Sequence, residues 1–465
     1  MKHLLLLLIA GQLPAPTASL PAASDWRNGN ASAGYVMEAA GRATDPDGAT
    51  ITFRAPAQPA AFGNTSATMP VDAVRLKRLK LSGELQTSGV TGGASLWLRI
   101  DKGPAMLMLD NGAADAVTGT TEWTGRAITL PVPSDATSVV FGVLLRGEGS
   151  VTVRHLRLEA GAALTADAPI APKARAVVDE AIKIAREHSL HRKEIAWPEV
   201  ERNVRALAAG AEDSAAAYPA IRYLLAALND HHSFLLPPAQ TTAFRTGGAS
   251  NPIPEIRVSA DAVGVITMPG YSGGDQAASR KYAEDVHKAL VNAQSGAACG
   301  WVVDLRPNTG GNMWPMLAGL KPFLGNEPLG TFESPTESSP PWKAGQAVEV
   351  EPPGTLAALE NSWVAVITGP RTASSGEAVT IAFKGRPHTR SFGLPTNGLS
   401  TANETFPLPD GAMILLTTAI EVDRTGKRYG DKVDPDEQHE AAGTAGDPAM
   451  AAATAWLKTA SGCRR

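Results

Sequence analysis

The sequence predicts a multidomain chain: an N-terminal β-sandwich of jelly-roll type, a helical subdomain, and an α/β core. Three observations lead there. From Ser24 to about Ala160, short apolar or alternating runs are separated by Gly, Asp, Asn and Pro, as in antiparallel strands. From Ala176 to Leu228 the apolar period becomes helical. From Val263 onward strand-like and helical stretches alternate, the order of a mostly parallel sheet with helices on both faces. A length of 465 residues with 43% hydrophobic content suits two or three domains with a sizeable core.

Residues 1–23 read as a secretory signal peptide: a positive start at Lys2-His3, an apolar block from Leu4 to Ile9, then an Ala, Pro and Ser-rich stretch with cleavage expected near Ala18 or Ala23. The block is too short to span a bilayer. No other membrane segment follows, so a soluble mature protein, secreted or periplasmic, is expected. Residues 24–160 form the sandwich, with strands expected at Thr52–Arg54, Leu96–Ile100, Ala127–Leu130, Ser138–Leu144 and Ser150–Leu158. Trp26, Trp97 and Trp123 are either core or a platform for sugar. Residues 161–172, rich in Ala and Pro, read as a linker. Residues 173–238 carry helices at 176–187, 197–209 and 214–228 and end in Asp230-His231-His232-Ser233. Residues 239–445 form the α/β core, with strands at 263–268, 300–305, 363–368 and 413–418 and helices at 275–292 and 316–324. Residues 446–465 are a C-terminal helix and tail.

A formal net charge of −4 leaves no basic footprint for nucleic acid. The two cysteines, Cys299 and Cys463, make no disulfide framework, and neither has metal-ligand spacing; Cys463 is expected in a loose tail. Neither a Gly-Lys-Ser/Thr phosphate loop nor Gly-x-Gly-x-x-Gly is present. No cofactor and no metal are expected.

The stretch from Trp363 to Leu399 organises the core. A β-branched run, Trp363 to Thr368, is broken by Gly369-Pro370-Arg371, and Thr372-Ala373-Ser374-Ser375-Gly376-Glu377 then opens a helix. That arrangement lifts a hydroxyl to the end of a sheet beside the free N–H groups of a helix N-terminus. Alternatively Thr372, Ser374 or Ser375 merely caps the helix, with Glu377 as capping partner. A second turn, Asp304 to Asn312, carries Gly310-Gly311 soon after a buried strand. There the choice lies between an oxyanion hole and a plain strand-to-helix turn. In the Asp230–Ser233 turn, neighbouring polar groups can hold an imidazole in one tautomer.

Taken together, Asp230-His231-His232-Ser233, Asp304-Leu305-Arg306-x-Asn308-x-Gly310-Gly311 and Thr372-Ala373-Ser374-Ser375-x-Glu377 resemble the tail-specific, or C-terminal processing, serine peptidase family. Gly393-Leu394-Pro395-Thr396-Asn397-Gly398, Pro409-Asp410-Gly411 and Val433-Asp434-Pro435-Asp436 add to the resemblance, which covers roughly Lys173 to Ala442. It implies the α/β fold of that family and makes Ser374 the nucleophile. Many members carry an activating lysine after Thr-x-Gly. Here Leu399 follows Gly398, and Lys384 lies too far along the helix. The segment before the first core strand is also too short for the PDZ module many members have. The histidine-using branch, which resembles nisin-resistance proteins and tricorn-like peptidases, has Thr-Ala-Ser-Ser and His-Ser, both present here. By that resemblance His232, the residue before Ser233, is the general base.

The chemistry supports the assignment. A serine hydroxyl needs a neighbour to take its proton, and imidazole is suited to this near neutrality. The oxyanion donors are expected at Gly310, Gly311 and Ser375. Asp230 or Glu421 is the expected orienting acid, with Asp423 and Asp431 as alternatives, and a dyad without an acid also fits. Gly119-Thr120-Thr121-Glu122-Trp123 and the strand at Ser150 resemble jelly-roll domains found beside bacterial hydrolases. The implied function is a serine peptidase acting on peptides or unfolded protein C-terminal regions, with a cell-envelope or carbohydrate contact through the sandwich. The alternative is a catalytically inactive peptidase-fold protein that binds a peptide or cell-envelope ligand. An esterase is disfavoured by the lack of Gly-x-Ser-x-Gly.

Overall fold

The computed structural model describes residues 20, 22–57, 59, 62–164, 168–246, 251–440 and 446–463. Most of the expected signal peptide, residues 1–19, and part of the expected linker, residues 165–167, lie outside the described residues. One unit comprises Met1–Asp179 and Ile195–Asn229, the other Glu180–Glu194 and Asp230–Arg465.

The first unit contains β1 (Arg27–Asn28), β2 (Val36–Ala40), β3 (Ala49–Arg54), β4 (Gly63–Pro70), β5 (Lys77–Lys102), β6 (Ala105–Asp110), β7 (Val117–Pro131), β8 (Ser138–Arg146) and β9 (Ser150–Ala163). These strands join in one nine-stranded sheet of order β1-β4-β8-β5-β9-β3-β2, with β6 and β7 also on β5. The two separate sheets of a sandwich are not what the ladders form. The reason is β5, which is 26 residues long. Its first half pairs with β7 and β9, and its second half with β8 and β6. Only Leu96–Ile100 of this strand was expected from the sequence, although its first half also alternates, with Leu79, Leu81 and Leu85 buried between Lys, Ser, Glu and Gly. β9 runs on to Ala163, past the expected start of the linker. The three tryptophans have separate settings. Trp97 is buried and donates to the Thr65 carbonyl at 3.0 Å. Trp26 meets Phe141 edge-on, and the Arg154 guanidinium lies 4.1 Å over the Trp123 ring.

Three helices follow as expected, α1 (Pro172–His188), α2 (Trp197–Ala208) and α3 (Ser214–Ala227). Asp213 caps α3 by accepting from the Ala216 N–H at 2.8 Å. These helices do not make a subdomain with the histidine turn; α2 and α3 belong to the β-rich unit. They bury Val204, Leu207, Ile221 and Leu224, and a polar chain fixes them. Ser134 donates to Asn203 at 2.6 Å, Asn203 donates to the Tyr223 hydroxyl at 2.8 Å, and that hydroxyl donates to Asp135 at 3.2 Å. Amphipathic helices need an apolar surface to cover, and here the sheet supplies it.

The second unit contains β10 (Phe234–Leu236), α4 (Pro238–Thr246), β11 (Glu255–Val258), β12 (Gly264–Thr267), α5 (Gln276–Ala293), β13 (Trp301–Asp304), α6 (Met313–Gly319), α7 (Lys321–Leu324), β14 (Gly330–Glu333), β15 (Val364–Thr368), α8 (Ser375–Phe383), β16 (Thr389–Gly393), β17 (Thr401–Pro407), β18 (Met413–Asp423), β19 (Glu437–Gln438) and α9 (Pro448–Ala460). A six-stranded sheet runs β11-β12-β13-β15-β16-β19, parallel throughout except for β11. Successive side chains on a strand face opposite ways. Val303, Val364 and Val366 therefore join the cluster of Met316, Phe323 and Phe383, while Val302, Ala365 and Ile367 join that of α9 with Ala453 and Leu457. A second sheet has the order β10-β18-β14, with β17 paired to β18.

Cys463 does not lie in a loose tail. It forms a disulfide with Cys299, Cα to Cα 5.2 Å, across 164 residues of sequence. The bridge joins the end of α9 to the segment entering β13, and Cys463 packs on the α9 cluster. Cross-links over long loops stabilise chiefly by restricting the unfolded chain, typically by about 2–4 kcal/mol. The Cys299→Ala/Cys463→Ala double variant should lose about that much stability in urea unfolding, and reductant should have no further effect on it. Two titratable thiols in the folded, unreduced wild type would contradict the bridge.

Candidate active site

Strands β13 and β15 are parallel neighbours, with Asp304 opposite Ile367, so the loops leaving their carboxyl ends lie side by side. After β13, Arg306 grips Asp304 through two hydrogen bonds, 2.9 Å and 2.6 Å, and reaches Asp447 at 2.8 Å. These carboxylates hold the guanidinium charged and raise its pKa. Asn308 is fully buried. Its side chain accepts from the Gly310 N–H at 3.1 Å, and its carbonyl accepts from the Ala373 N–H at 3.0 Å. The Thr372 hydroxyl donates to the Leu305 carbonyl at 2.9 Å. Gly310 and Gly311 have φ of 102° and 116°. A Cβ on Gly310 would stand 2.8 Å from the Ser374 Cβ, and one on Gly311 would overlap the Tyr271 carbonyl oxygen. Only glycine fits both places.

Ser374 precedes α8 with φ 52° and ψ −121°, a conformation a non-glycine residue adopts only when its surroundings impose it. Its N–H donates to Glu377 at 2.8 Å. Its hydroxyl stands 2.9 Å from His232 Nε2, although the two residues are 142 apart in sequence. His232 is buried while His231 is exposed. The histidine turn is held by Asp230, which accepts from the His232 N–H, the Ser233 N–H and the Ser233 hydroxyl at 2.9, 2.7 and 2.6 Å. Asn403 donates to the His232 carbonyl at 2.9 Å, and the Ser233 hydroxyl accepts from the Thr417 N–H at 2.9 Å.

Neither expected orienting acid meets the imidazole. Asp230 is spent on its own turn, and Glu421 has no hydrogen bond to His232 among the described residues. The ring atom Nδ1 instead lies 2.7 Å from the Thr401 hydroxyl at the start of β17. Asp423 accepts from Thr425, Lys427 and Tyr429, and Asp431 from the Lys432 N–H. With no carboxylate touching the ring, burial dominates and lowers the His232 pKa to about 4, against a smaller opposing effect of the Asp230 charge.

Glu377 does more than cap a helix. Besides the Ser374 N–H it accepts from the Thr396 hydroxyl and from the N–H groups of Gly398 and Leu399, the latter two at 2.9 and 2.8 Å. The turn where related sequences place a lysine thus supplies donors to Glu377. Burial raises this carboxyl's pKa, and the four donors work against the rise. Lys384 is engaged elsewhere, with Ser391 and Asp436. Of the expected oxyanion donors, the Gly310 N–H is committed to Asn308, and the Ser375 hydroxyl donates to the Gly311 carbonyl at 2.6 Å. His232, Ser374, Ser375, Gly311 and Thr401 line a cleft of about 670 Å³, with Phe234, Met313, Trp314 and Phe332 as apolar walls. Among the described residues, no cluster of three or more His, Cys, Asp or Glu is placed to hold a metal ion, and no helix is long and apolar enough to cross a membrane.

Residues 262–439 match the family model described as Peptidase family S41. This stretch is a peptidase family S41 domain. Over 202 residues the chain is 30% identical to the nisin-resistance protein of Lactococcus lactis subsp. lactis, covering 42% of this chain and 60% of that protein. Over 84 residues it is 43% identical to the uncharacterized HTH-type transcriptional regulator YbfP of Bacillus subtilis (strain 168), covering 18% of this chain and 28% of that one. The chain thus spans less than two thirds of either curated relative. A lipoprotein from Streptococcus agalactiae matches with a TM-score of 0.54 and 24% identity, over 63% of this chain and 98% of that structure, a likeness of fold. The S41 domain covers both loops that flank Ser374 and the turn that holds Glu377; the histidine turn lies before its first matched residue.

A lowered imidazole pKa keeps the neutral, proton-accepting form down to more acid pH. Labelling of Ser374 by a fluorophosphonate should therefore hold its rate below pH 6 and fall as pH drops through about 4. An inflection near the ordinary imidazole value of about 6.5 would contradict the buried, acid-free setting of His232.

Proposed function

We propose that this protein is a secreted or periplasmic serine peptidase that cleaves peptides or protein C-terminal regions through an acyl-enzyme, with Ser374 as nucleophile and His232 as general base. The observation that carries the reading is the 2.9 Å approach of Nε2 to the Ser374 hydroxyl. Proton transfer needs that geometry first, and the unprotonated imidazole second. For Nε2 to accept, the ring proton must sit on Nδ1, where it donates to the Thr401 oxygen at 2.7 Å. Thr401 is thus the positioning residue, a neutral group where an acid was expected.

In the proposed cycle the Ser374 oxygen adds to the scissile carbonyl as its proton passes to Nε2. The carbonyl oxygen becomes an anion, met by the N–H groups of Gly311 and Ser375. The tetrahedral intermediate collapses, the C–N bond breaks, and the imidazolium returns its proton to the departing amine. Water then repeats the sequence on the acyl-enzyme, with Nε2 taking its proton, and Ser374 is released. Positioned donors at the oxyanion are each worth roughly 3–4 kcal/mol of transition-state stabilisation. Gly310 serves by leaving room beside the Ser374 Cβ.

Export is supported by the long-range disulfide, which suits an oxidising compartment. A formed serine–histidine pair supports catalysis over the inactive binding protein. The Ser374→Ala variant should lose roughly a thousandfold or more of peptidase activity on denatured protein and should no longer bind a fluorophosphonate covalently. Full activity in that variant would remove the assignment. Thr401→Val should lower kcat by about tenfold or more and shift the acid limb of the pH profile, with Thr401→Ser restoring both. A Thr401→Val enzyme with an unmoved profile would mean that the hydroxyl does not position the ring.

A further inference from the structure

The mechanism leaves one buried ionisable group in the cleft unused. Glu421, on β18, is 2% exposed and lines the same cleft as Ser374. Its Oε2 has no hydrogen-bond partner among the described residues. Neighbouring backbone groups offer it nothing: its own N–H donates to the Ser400 carbonyl and its carbonyl accepts from the Tyr429 N–H. Leaving a carboxyl oxygen unpaired in a buried site costs free energy that a folded chain ordinarily avoids, and such groups recur where a ligand supplies the partner.

The surroundings decide what that partner is. Among the described residues lining the cleft there is no Lys or Arg, whereas Glu404 and Glu421 are both acids. Glu404 already accepts from the Thr418 hydroxyl at 2.8 Å, so Glu421 is the carboxyl left open. Phe332, paired across the sheet with Glu421, offers an aromatic wall along which a methylene chain can lie. Burial and the nearby Glu377 charge raise the Glu421 pKa well above the ordinary carboxylate range, so an incoming cation compensates a group that is otherwise hard to ionise.

We propose that Glu421 is a specificity-determining residue: its carboxyl takes the ammonium or guanidinium of a lysine or arginine side chain next to the scissile bond. This inference rests on the peptidase reading above, and it makes the substrate class basic peptides.

The test measures binding apart from turnover. Fluorescein-labelled peptides identical except for a lysine, norleucine or glutamate at the residues flanking the cleavage position are titrated by anisotropy into the Ser374→Ala protein. The lysine peptide should bind about ten- to a hundredfold tighter than the norleucine peptide, as a buried charge-assisted hydrogen bond would give. The glutamate peptide should bind weakest. Adding the isosteric Glu421→Gln change should bring the lysine-to-norleucine ratio to within about twofold. Equal affinities for lysine and norleucine, no binding of any of these peptides, or an unchanged ratio in the Glu421→Gln protein would each overturn the proposal. Failure of the nucleophile assignment shows separately, as peptidase activity that survives Ser374→Ala while the binding ratio stands.

Discussion

The contact between two strand-ending loops governs everything at the candidate site. Ala373 donates to the Asn308 carbonyl, and Thr372 to the Leu305 carbonyl, so the segment after β15 is sewn to the segment after β13. The join brings Gly310 against the Ser374 Cβ. It works because β13 and β15 are adjacent and parallel, which sends both loops off the same edge of the sheet. A sheet with these strands antiparallel would have put the two loops at opposite ends.

Around that join the polar groups divide into those that build and those that face the cleft. Asp304, Arg306 and Asn308 build: each is saturated by neighbours within the fold. Glu377 also builds, gathering Ser374, Thr396, Gly398 and Leu399 on a single carboxylate. The strained backbone of Ser374 is tolerable because its N–H is fixed there and the next residue begins a helix. His232, Ser374 and Glu421 face the cleft, and each retains a capacity that the fold does not use up.

Much of this was legible in the sequence, and the reasons differ by residue. The strands at 301–304 and 364–368 are short, β-branched and buried on both faces, so composition alone revealed them. Ser374 and His232 were singled out by the resemblance of their turns to those of a peptidase family, since the residues alone left helix capping and His231 open. Thr401 was not, since it is an ordinary threonine at a strand start, 169 residues from the ring it meets. The Cys299–Cys463 pairing was hidden in the same way by distance. In the first half of β5 the alternation of Leu79, Leu81 and Leu85 is interrupted at Gly83 and Gly89, and a strand continuous from Lys77 to Lys102 leaves one sheet where a sandwich was expected. The grouping of α2 and α3 with the sheet was invisible because helical periodicity reports an apolar face without naming what covers it.

The bridge between Cys299 and Cys463 has a topological corollary. The covalent ring it closes contains Gly310, Gly311, Ser374, Glu377, Thr401 and Glu421, while His232 lies on the chain outside it. A cut of the main chain anywhere inside that ring leaves its two pieces tethered, so a chain severed there still keeps Ser374, both flanking turns and the cleft-facing Glu421 carboxyl on one molecule.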